Sequence, residues 1–371
     1  MNIVWLESGL VTESAQGPSS PHAGVRYRAL PAMRAMSELG HAARIVPVFA
    51  FASVDELFAG DVDLLVCSRV VPPAPGAFVE TANRYIACAQ RARSSGIGVV
   101  VDANDRHWEV PESRAMLQQL MAQAGVVVAG STSLAALLGG MTRAAIRVIG
   151  DPYELAEGAP QFAPPGSKRA FALSGLLGRL AGTRSPGRPV QLLWFGHPTN
   201  LGPILALVPQ LSPLIGDWSI ALHIVSAAGC SAEEVCEEVS GNFSPQLSAR
   251  FTEWSPAAVA AALEACDLVV IPSEVDAPAN LGKTANRMIE SIRRGRFAVA
   301  NPLPSYVEFE RYAWVGDSLT EGIAWALRHP GAVRRRIVHG QEHVARHHSP
   351  QAIGRLWEGA MLDAARLART A

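Results

Sequence analysis

Long apolar runs are missing from this chain. No uninterrupted segment approaches the roughly 18–20 residues of a membrane span, so no transmembrane helix is expected. Cysteine is sparse: Cys67, Cys88, Cys230, Cys236 and Cys266 are odd in number and scattered, with no CxxC pair. That usage points to reduced thiols rather than a disulfide framework. Neither sign of charge dominates, with 32 Lys and Arg against 33 Asp and Glu, so nothing drives the chain toward nucleic acid. No HExxH order is present. His339, His343 and His347 recur at helical spacing without a further ligand, which reads as a solvated helix face, and no metal is expected. The amino terminus, MNIVWLESGLVTE, lacks a basic n-region and carries Glu7 inside its only apolar run. It reads as a first strand rather than a signal peptide, and a cytoplasmic protein is expected.

What is present is an alternation. NIVWLES, ARIVPVF, DLLVCSR, GIGVVVD, GVVVAG and IRVIG read as short buried strands, with YRALPAMRAMSEL, FVETANRYIACAQRARSSG and ESRAMLQQLMAQA as helices between them. Gly40 is the expected C-cap of the first helix. Such alternation argues for an α/β chain with a parallel sheet covered on both faces. At 371 residues one hydrophobic core is not enough, so two doubly wound domains are expected. The rhythm breaks in a Gly/Pro/Ser-rich stretch and restarts at VQLLWFG. The expected division is therefore 1–160, a linker over 161–189 with one short apolar piece (AFALSGLLGRL), and 190–348. A final amphipathic helix over 349–371 follows, with Ser349 as N-cap and Pro350 at N1.

The most informative segment runs from Asp267 to Tyr306. DLVVIP reads as a buried strand, a polar loop follows, and LGKTANRMIESIRRG reads as a helix leading to a second buried strand, RFAVA. The loop between a strand's carboxyl end and a helix's amino end is where open α/β sheets bind anions. Lys283, Thr284, Asn286, Arg287 and then Glu290 suit a pyrophosphate at one end and ribose hydroxyls at the other. APANLGKT also fits a loose P-loop pattern. However, Pro272 to Asp276 separate it from the strand and Pro278 removes one N–H donor, so an NTPase is not expected.

Glu290-Ser-Ile-Arg-Arg-Gly295 after a "DLVVIPS" strand, followed by FAVANPLPSY, resembles the nucleotide-sugar glycosyltransferases of the GT-B fold, in particular the retaining family 4. VRYRALPAMRAMSELGHAARIV and GVVVAGSTSLAALL are similar to that family's amino-terminal half. The resemblance covers nearly the whole chain and implies two Rossmann-like domains facing across a cleft. The last helix is then expected to cross back onto the first domain. Glu290 is implied as the ribose acceptor, and Lys283, Thr284, Asn286 and Arg287 belong with the diphosphate. Gly196, His197 and Asn200 stand in the first loop of the second half, Ser273 follows the DLVVIP strand, and Trp254 stands where the family meets the nucleobase. Gly196 permits close backbone approach; a turn with a satisfied histidine, and a tryptophan that merely packs, are the plain alternatives. The family's second glutamate is replaced by Gly282.

On the acceptor side the resemblance points to Gly24 and Arg26 at the start of the first helix, and to Asp102, Asn104, Asp105 and His107 after GVVVD. Asp105 or His107 would orient or deprotonate an acceptor hydroxyl, with Lys283 assisting the departing diphosphate. The same DxND string, like Asp61-Val-Asp63, reads alternatively as the metal-binding motif of single-domain glycosyltransferases; the restart at VQLLWFG argues against that fold. The implied activity is a metal-independent, retaining glycosyltransferase of hexosyltransferase type. It would use a nucleotide diphosphate sugar as donor, need no cofactor, and act on a glycan, lipid-linked or other hydroxyl acceptor. Bacterial surface polysaccharide or glycoconjugate synthesis, with peripheral contact at the inner membrane face, is the setting by analogy. A nucleotide-sugar 2-epimerase on the same fold and a non-catalytic two-domain sugar-binding protein stay open.

Overall fold

In the computed structural model the described residues are 1–14, 17–70, 76–106, 108–109, 111–166, 188–228, 232–242 and 244–370. The short apolar piece expected inside the linker lies outside them. The chain forms two compact units. The first comprises Met1–Glu154, Asp276–Asn286 and Arg346–Ala371, and the second Leu155–Val275 and Arg287–Ala345.

The first unit carries a hairpin of β2 (Thr12–Ser14) and β3 (Gly17–Ser19) and a parallel sheet. The sheet contains β1 (Asn2–Glu7), β4 (Ala42–Pro47), β5 (Leu64–Cys67), β6 (Gly98–Ala103), β7 (Val126–Ala129) and β8 (Ala145–Val148), in the order β4-β1-β5-β6-β7-β8. Its central strands are apolar on both faces over most of their length because alternate side chains enter two different cores. Val4, Leu6, Leu65, Val99, Val101 and Val127 point to one face. Ile3, Trp5, Leu64, Val66, Val100 and Val126 point to the other. The expectation that ARIVPVF and IRVIG are buried strands is corrected. As β4 and β8 they form the two edges of the sheet, where one flank has no neighbour among the described residues, and they are largely exposed or half-buried.

The helix Pro350–Thr370 covers the second of these faces, and Ser349 Oγ accepts the Ala352 N–H at 3.1 Å as its N-cap. Its approach depends on small residues. A Cβ on Gly354 would lie 2.3 Å from Ala35 Cβ of the helix Leu30–Glu38, and one on Gly98 of β6 would lie 2.9 Å from the Ala365 backbone. Trp357 meets Trp5 edge to face at 5.0 Å between ring centroids. Tight helix-on-helix and helix-on-strand contact of this kind removes the room that even one methyl would need.

The second unit is also a six-stranded parallel sheet. It contains β9 (Val190–Phe195), β10 (Ile220–Ser226), β11 (Leu247–Glu253), β12 (Leu268–Ile271), β13 (Phe297–Ala300) and β14 (Trp314–Val315), ordered β11-β10-β9-β12-β13-β14. One core gathers Leu192, Trp194, Leu222, Ile224, Val270 and Phe297 with the helices packed on them. Gly295, between the helix Asn286–Arg293 and β13, takes φ +69°. A Cβ there would stand 2.3 Å from the Ala159 carbonyl oxygen, so both backbone sterics and space require glycine.

Candidate functional site

The strand order fixes where a ligand can enter the second sheet. From β9 the chain builds β10 and β11 on one side, then returns to build β12 to β14 on the other. The loops after β9 and β12 therefore diverge, which leaves a crevice at their carboxyl ends. Gly196 follows β9 there. Its N–H donates to Val225 O at 3.1 Å, and its carbonyl accepts from Ser226 Oγ at 2.9 Å. A Cβ on Gly196 would lie 3.2 Å from the Trp194 ring and 3.6 Å from Arg287 Nη1. Arg287 stands on the first turn of the helix Asn286–Arg293. Its Nη1 is buried and has no hydrogen-bond partner among the described residues. A buried guanidinium nitrogen left unsatisfied costs free energy that an anion would recover.

The neighbouring loops are tied down. Asn301, just past β13, accepts the Ser273 N–H through Oδ1 at 2.9 Å and donates through Nδ2 to Asp317 O at 3.1 Å. His197 Nδ1 accepts the Thr199 N–H at 3.3 Å, and the Asn200 N–H donates to His197 O, so both residues build one short turn over Pro198–Asn200. Trp254 follows β11, half-buried, with its N–H on Ser226 O at 2.7 Å. Glu290 is 2 % exposed, and its Oε2 accepts the Leu155 N–H at 3.2 Å.

Lys283 and Thr284 differ from expectation. The helix starts only at Asn286, and the segment Asp276–Asn286 groups with the first unit. There Gly282 O accepts from Ser131 Oγ at 3.4 Å, and Arg106 Nη1 donates to Pro278 O at 3.2 Å. The Thr284 methyl abuts Gly130. These contacts hold the stretch before Asn286 out of the helix that its sequence favours. A Cβ on Gly282 would lie 2.9 Å from Leu134 Cδ1, so a side chain there would need that leucine to shift. Asn286 Oδ1 is buried and has no partner among the described residues.

In the first unit, Asp102 is not presented to a ligand. It takes two hydrogen bonds from Arg28, from Nη2 at 2.6 Å and Nε at 3.1 Å. Arg28 Nη1 meets Asp151 at 3.0 Å, and the guanidinium lies over the Trp357 ring. Burial alone would weaken this cation, but the two carboxylates outweigh it and raise its pKa; burial also raises Asp102, against the pull of Arg28. This clamp was missed in the sequence, where Arg28 reads as one more arginine on a first helical turn. Arg26 pairs with Glu154 at 2.9 Å, and Asp105 with Arg69 at 3.2 Å. Asn104 stands close to Gly24: a Cβ on that glycine would lie 3.3 Å from its Nδ2, while its Oδ1 is buried without a partner among the described residues. His107 lies outside the described residues. Glu7, at the end of β1, was also not singled out; burial pushes its carboxyl up to about 7 although Ser8 and Gly9 N–H groups bond it. Among the described residues no cluster of three His, Cys, Asp or Glu side chains is placed to hold a metal, and no helix is long and apolar enough to cross a membrane.

No protein-family model matches the chain, and no curated protein does. Solved structures do. HepE from Anabaena, crystallised with UDP, superposes with TM-score 0.65 at 13% identity, over 98% of this chain and 100% of its own. AviGT4, a glycosyltransferase involved in avilamycin A biosynthesis, gives TM-score 0.56 at 13% identity over 100% and 98%. TarM gives TM-score 0.58 at 10% identity over 83% of this chain, which spans only 57% of TarM. The two parallel six-stranded sheets with their helices are thus the GT-B fold.

Proposed function

We propose that this protein is a glycosyltransferase that moves a sugar from a nucleotide diphosphate sugar to an acceptor hydroxyl. The observation that carries this reading is the buried Arg287 Nη1, without a hydrogen-bond partner among the described residues, beside Gly196 at the crevice of the second sheet. A cation held ready at a strand-end crevice suits a diphosphate and offsets the charge that builds on it as the glycosidic bond breaks. The fold shared with HepE, itself seen with UDP, supports the same reading.

Arg287 takes the diphosphate, and Gly196, without a side chain, leaves room for it. Lys283, Thr284 and Asn286 precede Arg287 in the chain and supply further contacts, with Lys283 the assisting cation. Glu290 serves the ribose, Trp254 the base, and Ser273, His197 and Asn200 line the donor. Gly24, Arg26 and Asn104 form the acceptor side, and Asp105 or His107 receives the acceptor proton. The bond from the anomeric carbon to the diphosphate breaks, and one to the acceptor oxygen forms with retained configuration and no covalent enzyme intermediate. Fixed cations stand in for a metal ion. Synthesis of bacterial surface polysaccharide or another glycoconjugate is the setting.

The test is to incubate the protein with UDP-, GDP-, ADP- and dTDP-sugars, with and without hydroxyl acceptors and EDTA. Nucleoside diphosphate release should depend on acceptor, survive EDTA and give a product of unchanged anomeric configuration. Conversion of a donor to its 2-epimer without acceptor would replace the reading, and activity lost to EDTA and restored by manganese would remove its metal-independence.

A further inference from the structure

The helix Asn286–Arg293 begins later than its own sequence pattern does. Its apolar stripe of Met288, Ile289 and Ile292 continues backward through Ala285 to Leu281, at the spacing i, i+4, i+7, i+8 and i+11 of one helix face. Asn280, just before Leu281, is a residue type that favours the N-cap. On the opposite side of the same continued helix, Lys283, Arg287 and Glu290 stand at i, i+4 and i+7, within about 60° of one another. In the structure this register is broken. Pro278–Asn280 forms a single 3-10 turn, and the Lys283 N–H donates to Asn280 O at 3.3 Å. Ser131 Oγ holds Gly282 O, Arg106 holds Pro278 O, and the Thr284 methyl abuts Gly130.

We propose that the segment 281–285 is a two-state switch, which a bound diphosphate converts from the docked arrangement of the structure into the first turn of a longer helix over 281–293. The inference rests on the diphosphate reading of Arg287. Two effects favour the docked arrangement. One is the set of contacts from Ser131, Arg106 and Gly130. The other is charge: a continued helix sets the Lys283 ammonium one turn from the Arg287 guanidinium, and like charges at i, i+4 repel. A diphosphate reverses the second effect, because its negative charge turns two repelling cations into a two-point clamp. It therefore binds the helical arrangement more tightly than the docked one, and only such a difference in affinity shifts a population. The added turn also gives the N–H groups of Ala285 to Met288 the carbonyls of Leu281 to Thr284 as i−4 partners. Lys283 thus reaches the face of Arg287 and Glu290 only in the helical arrangement.

The test is amide hydrogen exchange of the full chain with and without UDP, GDP, ADP or dTDP, read on peptides covering 281–290, beside calorimetric titration of the same nucleotides. With a nucleotide that binds, exchange at Ala285 to Met288 should slow about tenfold or more. Gly282→Ala separates a switch from simple burial by the ligand. In the docked arrangement its Cβ would lie 2.9 Å from Leu134 Cδ1 and 3.4 Å from Arg106 Cβ. In a helix alanine is favoured over glycine about fivefold. The variant should therefore bind the nucleotide about fivefold tighter than wild type. Should it fail to fold, Arg106→Ala removes the bond to Pro278 O, adds no atom, and should tighten binding about twofold. Binding without slowed exchange at 285–288, or variants that bind no tighter than wild type, would overturn the switch and leave the diphosphate reading in place. Binding of none of the nucleotides would overturn both.

Discussion

Replacing Arg287 by methionine should raise the protein's own stability and weaken nucleotide binding at the same time. Nη1 is buried without a partner among the described residues. An unsatisfied buried donor costs about 1–3 kcal/mol, more when charged. Methionine keeps an unbranched apolar stem against the same neighbours and removes that cost. The urea midpoint should therefore rise, by an amount equivalent to about 1 kcal/mol. In the complex the same nitrogen makes a charge-assisted hydrogen bond to the diphosphate. Bonds of that kind contribute about 1.5–3 kcal/mol, so affinity for the nucleoside diphosphate should fall about 10- to 150-fold. Arg287→Lys, which keeps the charge but not the fork, should fall between the two. Calorimetric titration and urea unfolding on the same samples read both effects. Unchanged affinity, or a loss of stability together with affinity, would mean that Arg287 is an ordinary structural arginine.

Glu7 should make the protein less stable as pH rises. Its folded pKa lies above its ordinary value, from 4.5 to about 7, because burial disfavours the charged form. The folded state therefore holds the proton more tightly than the unfolded chain. The contribution is full below pH 4.5 and is lost by about pH 7, worth up to about 3 kcal/mol. Glu7→Gln should flatten thermal stability across that window, and an unchanged slope would refute the assignment. Arg28→Met leaves Asp102 and Asp151 buried without their cation and should cost about 3–5 kcal/mol in urea unfolding; a change below about 1 kcal/mol would contradict the clamp. Lys283→Ala should cut turnover about tenfold or more with an unaltered melting temperature, and near-normal turnover would remove Lys283 from the diphosphate.

Most of the fold could be read from the chain, because buried parallel strands announce themselves as short apolar runs bounded by turn residues. Where those runs lie at a sheet edge the signal misleads: ARIVPVF and IRVIG look as buried as DLLVCSR, yet among the described residues β4 and β8 have a neighbour on one side only. The helix around Glu290 was legible, but its start was not. Local propensity carries LGKTANRMIESIRRG as one helix, whereas Ser131, Arg106 and Gly130, distant in sequence, keep Lys283 and Thr284 out of it. Gly196 and Arg287 each appear as a plausible donor contact in the sequence. Their closeness, and the lack of a partner for Nη1 among the described residues, follow from strand order and packing alone. The Arg28–Asp102–Asp151 clamp is the reverse case: Asp102 in a strand-end acidic motif looks presented to a ligand, and only a distant arginine shows that it is spent.

The central claim is that the crevice of the second sheet receives a nucleoside diphosphate. Its most direct test is a thermal-shift series on the wild-type protein with UDP, GDP, ADP, CMP and dTDP, then with sugar conjugates of whichever binds. A ligand that prefers the native state raises the melting temperature by mass action. One nucleotide should produce a clear, saturable rise, enlarged by one of its sugar conjugates. No rise with any of them would contradict the claim.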